Sequence, residues 1–224
     1  METMMNVMAN EAAAMGNMGM MAMEAAMDMN NRGLDEKHED EIRKILFADY
    51  EDIKDKVGVR LLPASVQTDV YVSAAEYGFE DLILVPYVLD LCKMDDGTAN
   101  ARVTNSLLEY WGVTADEVMA QGISNLDFKI LNMGDMLGFP EMDVPMTVVT
   151  NESMICGASS IIAAREKLAE MFPDGYMVLP SSRHELIVVP KNISDKQGLL
   201  EMVMEINATV VAESDKLSDN VYEF

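Results

Sequence analysis

The stretch GYMVLPSSRHELIVVP, residues 175–190, decides the fold. Val178, Leu179, Leu186, Ile187, Val188 and Val189 are the residue types that fit a pleated, buried surface. Pro180 has no N–H to give to a ladder and ends a first strand, and Pro190 ends a second. Ser181 and Ser182 can bond to nearby backbone groups and hold the bend between them. The stretch therefore reads as a β-hairpin, with strands over 176–179 and 185–189 and a tight connection over 180–183.

Helical patterns flank it. Residues 157–171 place Ile161, Ile162, Leu168 and Met171 on one side, and Ser194-Asp195 opens a last helix through Leu199, Leu200, Met202, Val203 and Ile206. A strand over 146–149 precedes the first helix, and the tail KLSDNVYEF adds a short strand over 221–224.

Further upstream, residues 36–57 read as one amphipathic helix with Ile42, Ile45, Leu46, Ile53 and Val57 on its buried face and Gly58 as its stop. A strand over 59–62 ends at Pro63, and 64–76 carries strand and helix signals together. The run DLILVPYVLDLC, 81–92, is too continuously apolar for an exposed strand, so it reads as buried, with Pro86 at a bulge or a sheet edge. Asp95-Asp96-Gly97 is a hairpin turn that returns the chain to a partner strand over 101–104. Asn105 caps a helix carrying Leu107, Leu108, Tyr110 and Trp111 inward and ending at Gly112. Thr114 and Glu117 form a capping box for a helix reaching residue 121. The segment 123–140 shows no clear period.

Strands joined by tight turns, with helices between, give an α+β fold: antiparallel sheets with helices packed on one side and a C-terminal hairpin flanked by helices. The domain spans 34–224, as one body or as two lobes, 34–140 and 141–224. Residues 1–33 are a low-complexity tail of Met, Ala, Asn and Gly, without the positive start of a secretory signal.

The chain carries 39 acidic and 16 basic residues, a formal net charge of −23. Such a surface repels nucleic-acid phosphates and anionic membranes and attracts basic partners. The two cysteines, Cys92 and Cys156, are too few and too far apart for a disulfide framework, which points to a reducing cytoplasm. No apolar run has the length of a membrane span.

Ser182, His184 and Glu185, with Ser181, supply the components of a hydrolase triad. They sit within five positions, where neighbours on a strand point to opposite faces, and no G-x-S-x-G elbow is present. A polar bend uses the same residues. Cys156 precedes Gly157 at an expected helix start, where a thiol gains nucleophilicity, and a sheet that brings His184 close would make a Cys–His pair. The candidate catalytic residues are therefore His184, Cys156 and Ser182. The helix start 157–160 offers backbone N–H groups to an anion, without a P-loop lysine or a G-x-G-x-x-G pattern. With only His38 and His184 as histidines, and no Cys-x-x-Cys, no metal and no cofactor are expected.

The segments LPSSRHELIVVP, LLEMVMEIN and LSDNVYEF resemble the signature of a family of unknown function, number 5688 among such domains. VTNSLLEYWGVTADEV and VVTNESMICGASSIIA resemble its central portion and the stretch before the hairpin. The likeness covers 39–224 and leaves out the methionine-rich head. Arg183 departs from it, standing where the pattern has an apolar residue. The family is common in gut clostridia. The resemblance implies a cytoplasmic bacterial protein, often encoded near mobile elements, and brings no catalytic residues with it.

The expected function is that of a non-enzymatic, protein-interaction or accessory factor with a protein partner, a basic one by charge, and with no direct contact to nucleic acid or membrane. Two alternatives stay open. One is an inhibitor that imitates DNA and occupies a basic nucleic-acid-binding protein. The other is a hydrolase or thiol enzyme using His184 with Cys156 or Ser182.

Overall fold

The computed structural model describes residues 36–94, 97–136, 145–180, 182–192 and 195–224. The 1–33 tail, the turn residues Asp95 and Asp96, and Ser181 lie outside the described residues. The fold is α+β. The chain divides into two compact units, each assembled from separated stretches: residues up to 58, 68–70 and 86–122 in the first, and 59–67, 71–85 and 123–224 in the second.

Helix α1 (Glu36–Leu46) buries Ile42 and Leu46, with acids in its first turn and Arg43 and Lys44 in its last, as the helix dipole favours. The periodicity predicts that it continues to residue 57. The chain instead bends at 47–49, makes one turn in α2 (Tyr50–Ile53) and a 3-10 turn at Lys54–Lys56, and enters β1 (Val57–Pro63). Val57 is buried from a strand, and Gly58 is no helix stop. A Cβ on Gly58 would stand 2.6 Å from Leu89 Cδ1, so the bare backbone is what admits that side chain.

The ambiguous segment resolves into β2 (Val72–Ser73) and a 3-10 turn at Ala74–Tyr77, with the Ser73 hydroxyl accepting the Ala75 N–H. Strand β3 (Leu82–Met94) is the long buried run. It pairs antiparallel with β2 at Val72 and Leu84, and with β4 (Gly97–Arg102) from Gly97 onward, earlier than the expected partner at 101–104. Its register slips between Val88 and Cys92, where Asp90 takes a φ of 52°. The bulge therefore lies beyond Pro86. Asp90 turns its N–H to Asn100 Oδ1 and its carbonyl to Lys56 Nζ.

Helix α3 (Asn105–Trp111) is capped by Thr104, whose Oγ1 accepts the Leu107 N–H at 3.3 Å; Asn105 is already inside the helix. Gly112 ends it in the left-handed region, as expected. Tyr110 is exposed rather than inward, with its hydroxyl donating to the Phe47 carbonyl at 2.8 Å. Helix α4 (Ala115–Ser124) starts with the expected box: Glu117 Oε2 accepts the Thr114 N–H at 2.8 Å, and Thr114 Oγ1 accepts the Glu117 N–H at 3.2 Å. The Thr114 N–H and hydroxyl hold the Glu117 carboxyl below its usual range.

The second unit continues with β5 (Lys129–Asn132), the short α5 (Met133–Met136), β6 (Thr147–Thr150), a 3-10 turn at Gly157–Ser159 and α6 (Ser160–Met171). Then come β7 (Tyr176–Leu179), β8 (Leu186–Pro190), α7 (Lys196–Thr209) and β9 (Tyr222–Glu223). These strands form one sheet in the order β5-β6-β8-β7-β9, antiparallel throughout. The hairpin is as read, with Val178 opposite Val188 and Leu179 opposite Ile187.

Every residue of β7 is buried. On one face Met177, Leu179 and Val189 pack with Leu199 and Val203 of α7. On the other, Tyr176 stacks on Phe224 with centroids 5.2 Å apart, and Phe79 meets Tyr222 edge-on at 4.8 Å. Met171 and Ile206, expected inside, are exposed. Helix α7 turns Leu199, Val203 and Asn207 inward, a stripe that Ile206 lies beside. Asn207 is tolerated there because its amide donates to the Ser218 carbonyl and to Asp219 Oδ1. Among the described residues no helix is long and apolar enough to cross a membrane.

Asp81 ties this unit together. Its carboxylate accepts the Tyr222 hydroxyl at 2.7 Å and the Ser218 hydroxyl at 2.6 Å. Burial, aided by that carboxylate, pushes the Tyr222 phenol far above its ordinary value. An unfolded chain ionises a tyrosine near pH ~10, where the folded chain still holds this proton. The stability that follows is complete below that pH and is lost as pH rises toward the folded value. Tyr222→Phe should flatten the decline of the urea midpoint from about pH 10 upward. A decline as steep as that of the parent protein would refute the assignment.

Candidate functional site

The sequence candidates converge on one corner of the second unit, where β6 leaves the sheet and β8 enters it. Strand β6 delivers Thr150 to the bend preceding β8, and Thr150 Oγ1 donates to the His184 carbonyl at 2.8 Å. The chain then makes the 151–156 loop and starts the 3-10 turn. The first two N–H groups of that turn are already engaged, Gly157 with the His184 carbonyl at 3.0 Å and Ala158 with the Arg183 carbonyl at 3.2 Å. The expected anion cradle at 157–160 thus has these two donors closed by the neighbouring bend.

Ser182 and Glu185 form a side-chain bond across the bend. The Ser182 hydroxyl donates to Glu185 Oε1 at 2.8 Å and accepts the His184 backbone N–H at 3.0 Å. Ser182 is buried, and it meets the histidine through the main chain rather than the ring. His184 and Cys156 do come together, again through backbone: the Cys156 N–H donates to His184 Nδ1 at 3.2 Å. An Nδ1 that accepts carries no proton, so the neutral ring holds its proton on Nε2. That nitrogen faces Asp215 Oδ1 at 3.7 Å. Arg183 Nε lies nearer the same oxygen, at 2.9 Å, as a close charge pair rather than an aligned hydrogen bond. The Arg183 N–H also donates to the Asp215 carbonyl.

The 151–156 loop is pinned along its length. Asn151 Oδ1 accepts the Ile155 N–H at 3.1 Å, and Asn151 Nδ2 donates to the Ile155 carbonyl at 2.9 Å. The Glu152 N–H reaches Asp127 Oδ2. Met154 and Cys156 both take left-handed conformations, with φ of 58° and 51°. Side-chain-bearing residues rarely adopt that region; each costs about 1–3 kcal/mol and survives only where surrounding bonds impose it. At the tip, Met154 is 43% and Ile155 57% exposed.

Chemically, the corner holds a half-exposed free thiol, an imidazole and a carboxylate, with the imidazole Nδ1 committed to a main-chain donor. Cys92 lies buried in the first unit. Among the described residues no group of three His, Cys, Asp or Glu is arranged to hold a metal ion. Sequence reasoning missed Asn151, although the Asn-x-Ser spacing at 151–153 is a turn signal. It also missed Asp215, which no local pattern marks.

No curated protein and no solved structure matches the chain. A family model does match, over residues 5–224, which takes in most of the methionine-rich head that the resemblance left out. The chain belongs to the family of unknown function DUF5688.

Proposed function

We propose that this protein is a non-enzymatic interaction factor that binds a basic protein partner through the tip of the 151–156 loop. The observation that carries the reading is the exposure of Met154 and Ile155 on a loop held in strained backbone by its neighbours. A backbone already held in one pose loses little entropy on binding, which is how a small contact becomes an affinity. The net charge of −23 selects the partner's sign and speeds its approach. The free thiols Cys92 and Cys156 fit a cytoplasmic setting.

A second reading, a thiol enzyme, is favoured by one observation: His184 stands between Cys156 and Asp215. Capture from native lysate at low salt, with the full chain as bait, tests both. A protein retained by the parent and by Cys156→Ser, and lost by Met154→Ser/Ile155→Ser at an unchanged melting temperature, supports loop binding. Retention by the double variant refutes it. Displacement of the captured protein by duplex DNA would identify the partner as a nucleic-acid-binding protein whose groove this acidic surface imitates.

A further inference from the structure

Two side chains converge on one peptide bond, the bond between Ile155 and Cys156. His184 Nδ1 accepts its N–H at 3.2 Å, and Asn151 Nδ2 donates to its carbonyl at 2.9 Å. The residue after the bond, Cys156, carries a free, partly exposed thiol. Sγ is joined to the nitrogen of that bond through Cβ and Cα alone. Covalent geometry therefore lets it reach the Ile155 carbonyl carbon, closing a ring of Sγ, Cβ, Cα, N and C. The parts of an acyl transfer are assembled around a bond of the chain itself: a nucleophile, a donor on the oxygen where negative charge develops, and a base beside the nitrogen that must leave.

Neighbouring bonds fix the segment on both sides. Asn151 Oδ1 accepts the Ile155 N–H, and the Gly157 N–H donates to the His184 carbonyl. Cys156 is held at a φ of 51°, a torsion about N–Cα that residues with a Cβ rarely adopt. Once the acyl group sits on sulfur the chain runs through Cβ and Sγ instead, so the transfer relieves that strain. We infer that this is a self-processing bond, at which the Ile155 acyl group passes from the Cys156 nitrogen to Cys156 Sγ. The C–S bond forms and the C–N bond breaks. The thiol proton goes by way of His184 Nδ1 to the departing nitrogen, leaving a thioester and an amine. Nothing is oxidised or reduced. Water then gives its hydroxyl to the Ile155 carbon and a proton to Sγ, which separates a piece ending at Ile155 from one beginning at Cys156. Ile155 is exposed, so the acyl group stands open to water or to another small nucleophile. The event is a single turnover on the chain's own bond, and it goes beyond the binding role without depending on it.

The test is intact-mass spectrometry of the full chain incubated at neutral pH with hydroxylamine, which captures a thioester as a hydroxamate. A piece ending in a hydroxamate at Ile155 and a piece beginning at Cys156 are expected; adventitious proteolysis leaves an acid instead. Cys156→Ala should stay whole. Asn151→Asp keeps the acceptor for the Ile155 N–H and loses the donor on the carbonyl, so its rate should fall about a hundredfold. His184→Asn keeps an acceptor for the Cys156 N–H and cannot relay a proton, and should lose about as much. An intact parent chain, a hydroxamate at any other residue, or cleavage that persists in Cys156→Ala overturns the inference. If Cys156→Ala does not fold, Asn151→Asp still decides: cleavage at the parent's rate and an unchanged melting temperature would overturn it as well. No partner enters this measurement, so its failure and the failure of loop binding are read separately.

Discussion

Gly157→Ala is expected to remove most of the protein's stability. A Cβ at that position would lie 2.4 Å from Thr150 Oγ1, 2.5 Å from Asn151 N and 2.9 Å from Asn151 Oδ1. None of these atoms is the free end of a flexible side chain. Thr150 is held by its bond to the His184 carbonyl, Asn151 N is main chain, and the Asn151 amide is tied to Ile155 at both ends. The backbone must move, and with it the Gly157 bond to His184 that joins α6 to the hairpin bend. A loss of about 4 kcal/mol or more follows, against a total of about 5–15 kcal/mol for an ordinary domain. Urea unfolding measures it. Gly198→Ala is the control: its nearest neighbour would be Asp195 Oδ2 at 3.4 Å, within a helix, so it should be neutral or slightly stabilising. A Gly157→Ala protein as stable as that control would show that the corner is not built as described.

Asp81→Ala should give the other large effect, a loss of about 3 kcal/mol. Tyr222 and Ser218 are buried, and both hydroxyls donate to that carboxylate. Removing the acceptor strands two donors away from water, each at about 1–3 kcal/mol. Tyr222→Phe alone should cost less, because it removes a donor and an acceptor's partner together. In the Asp81→Ala background the same change should be close to neutral, since the stranded hydroxyl goes with it. Urea midpoints for the two single variants and the double variant give the coupling directly. Strict additivity would mean that the pair does not act as a unit.

The hairpin was legible because its strands are short runs of β-branched and aliphatic residues between two prolines, a pattern that leaves little choice. The 36–57 helix was overread for a physical reason. Ile53 and Val57 are buried whether the chain stays helical or breaks and enters a strand, so periodicity alone cannot tell the two apart. Gly58 after an apolar helical pattern has the look of a stop, yet it is the place where Leu89 lies against the main chain.

At the candidate site, the chemistry of Cys156 and His184 was legible and their meeting was a matter of topology. Their contact through a backbone N–H could not be read, because it depends on the left-handed turn at Cys156. Asp215 and Asp81 were invisible for a shared reason. Their partners are set by how distant segments return to the sheet, and a lone aspartate in a loop carries no sign of that.

The bond between Asp81 and Tyr222 spans 141 residues of chain. At bacterial or eukaryotic translation speeds that separation is on the order of 7–30 s of synthesis. Throughout that interval the Asp81 carboxylate and the Phe79 ring, which meet Tyr222 in the finished protein, have no partner from the last strand. Residues up to 122 have meanwhile emerged, so the first unit has all its pieces early. The second unit is thus completed only after synthesis has passed its last strand, while the first can be assembled before it.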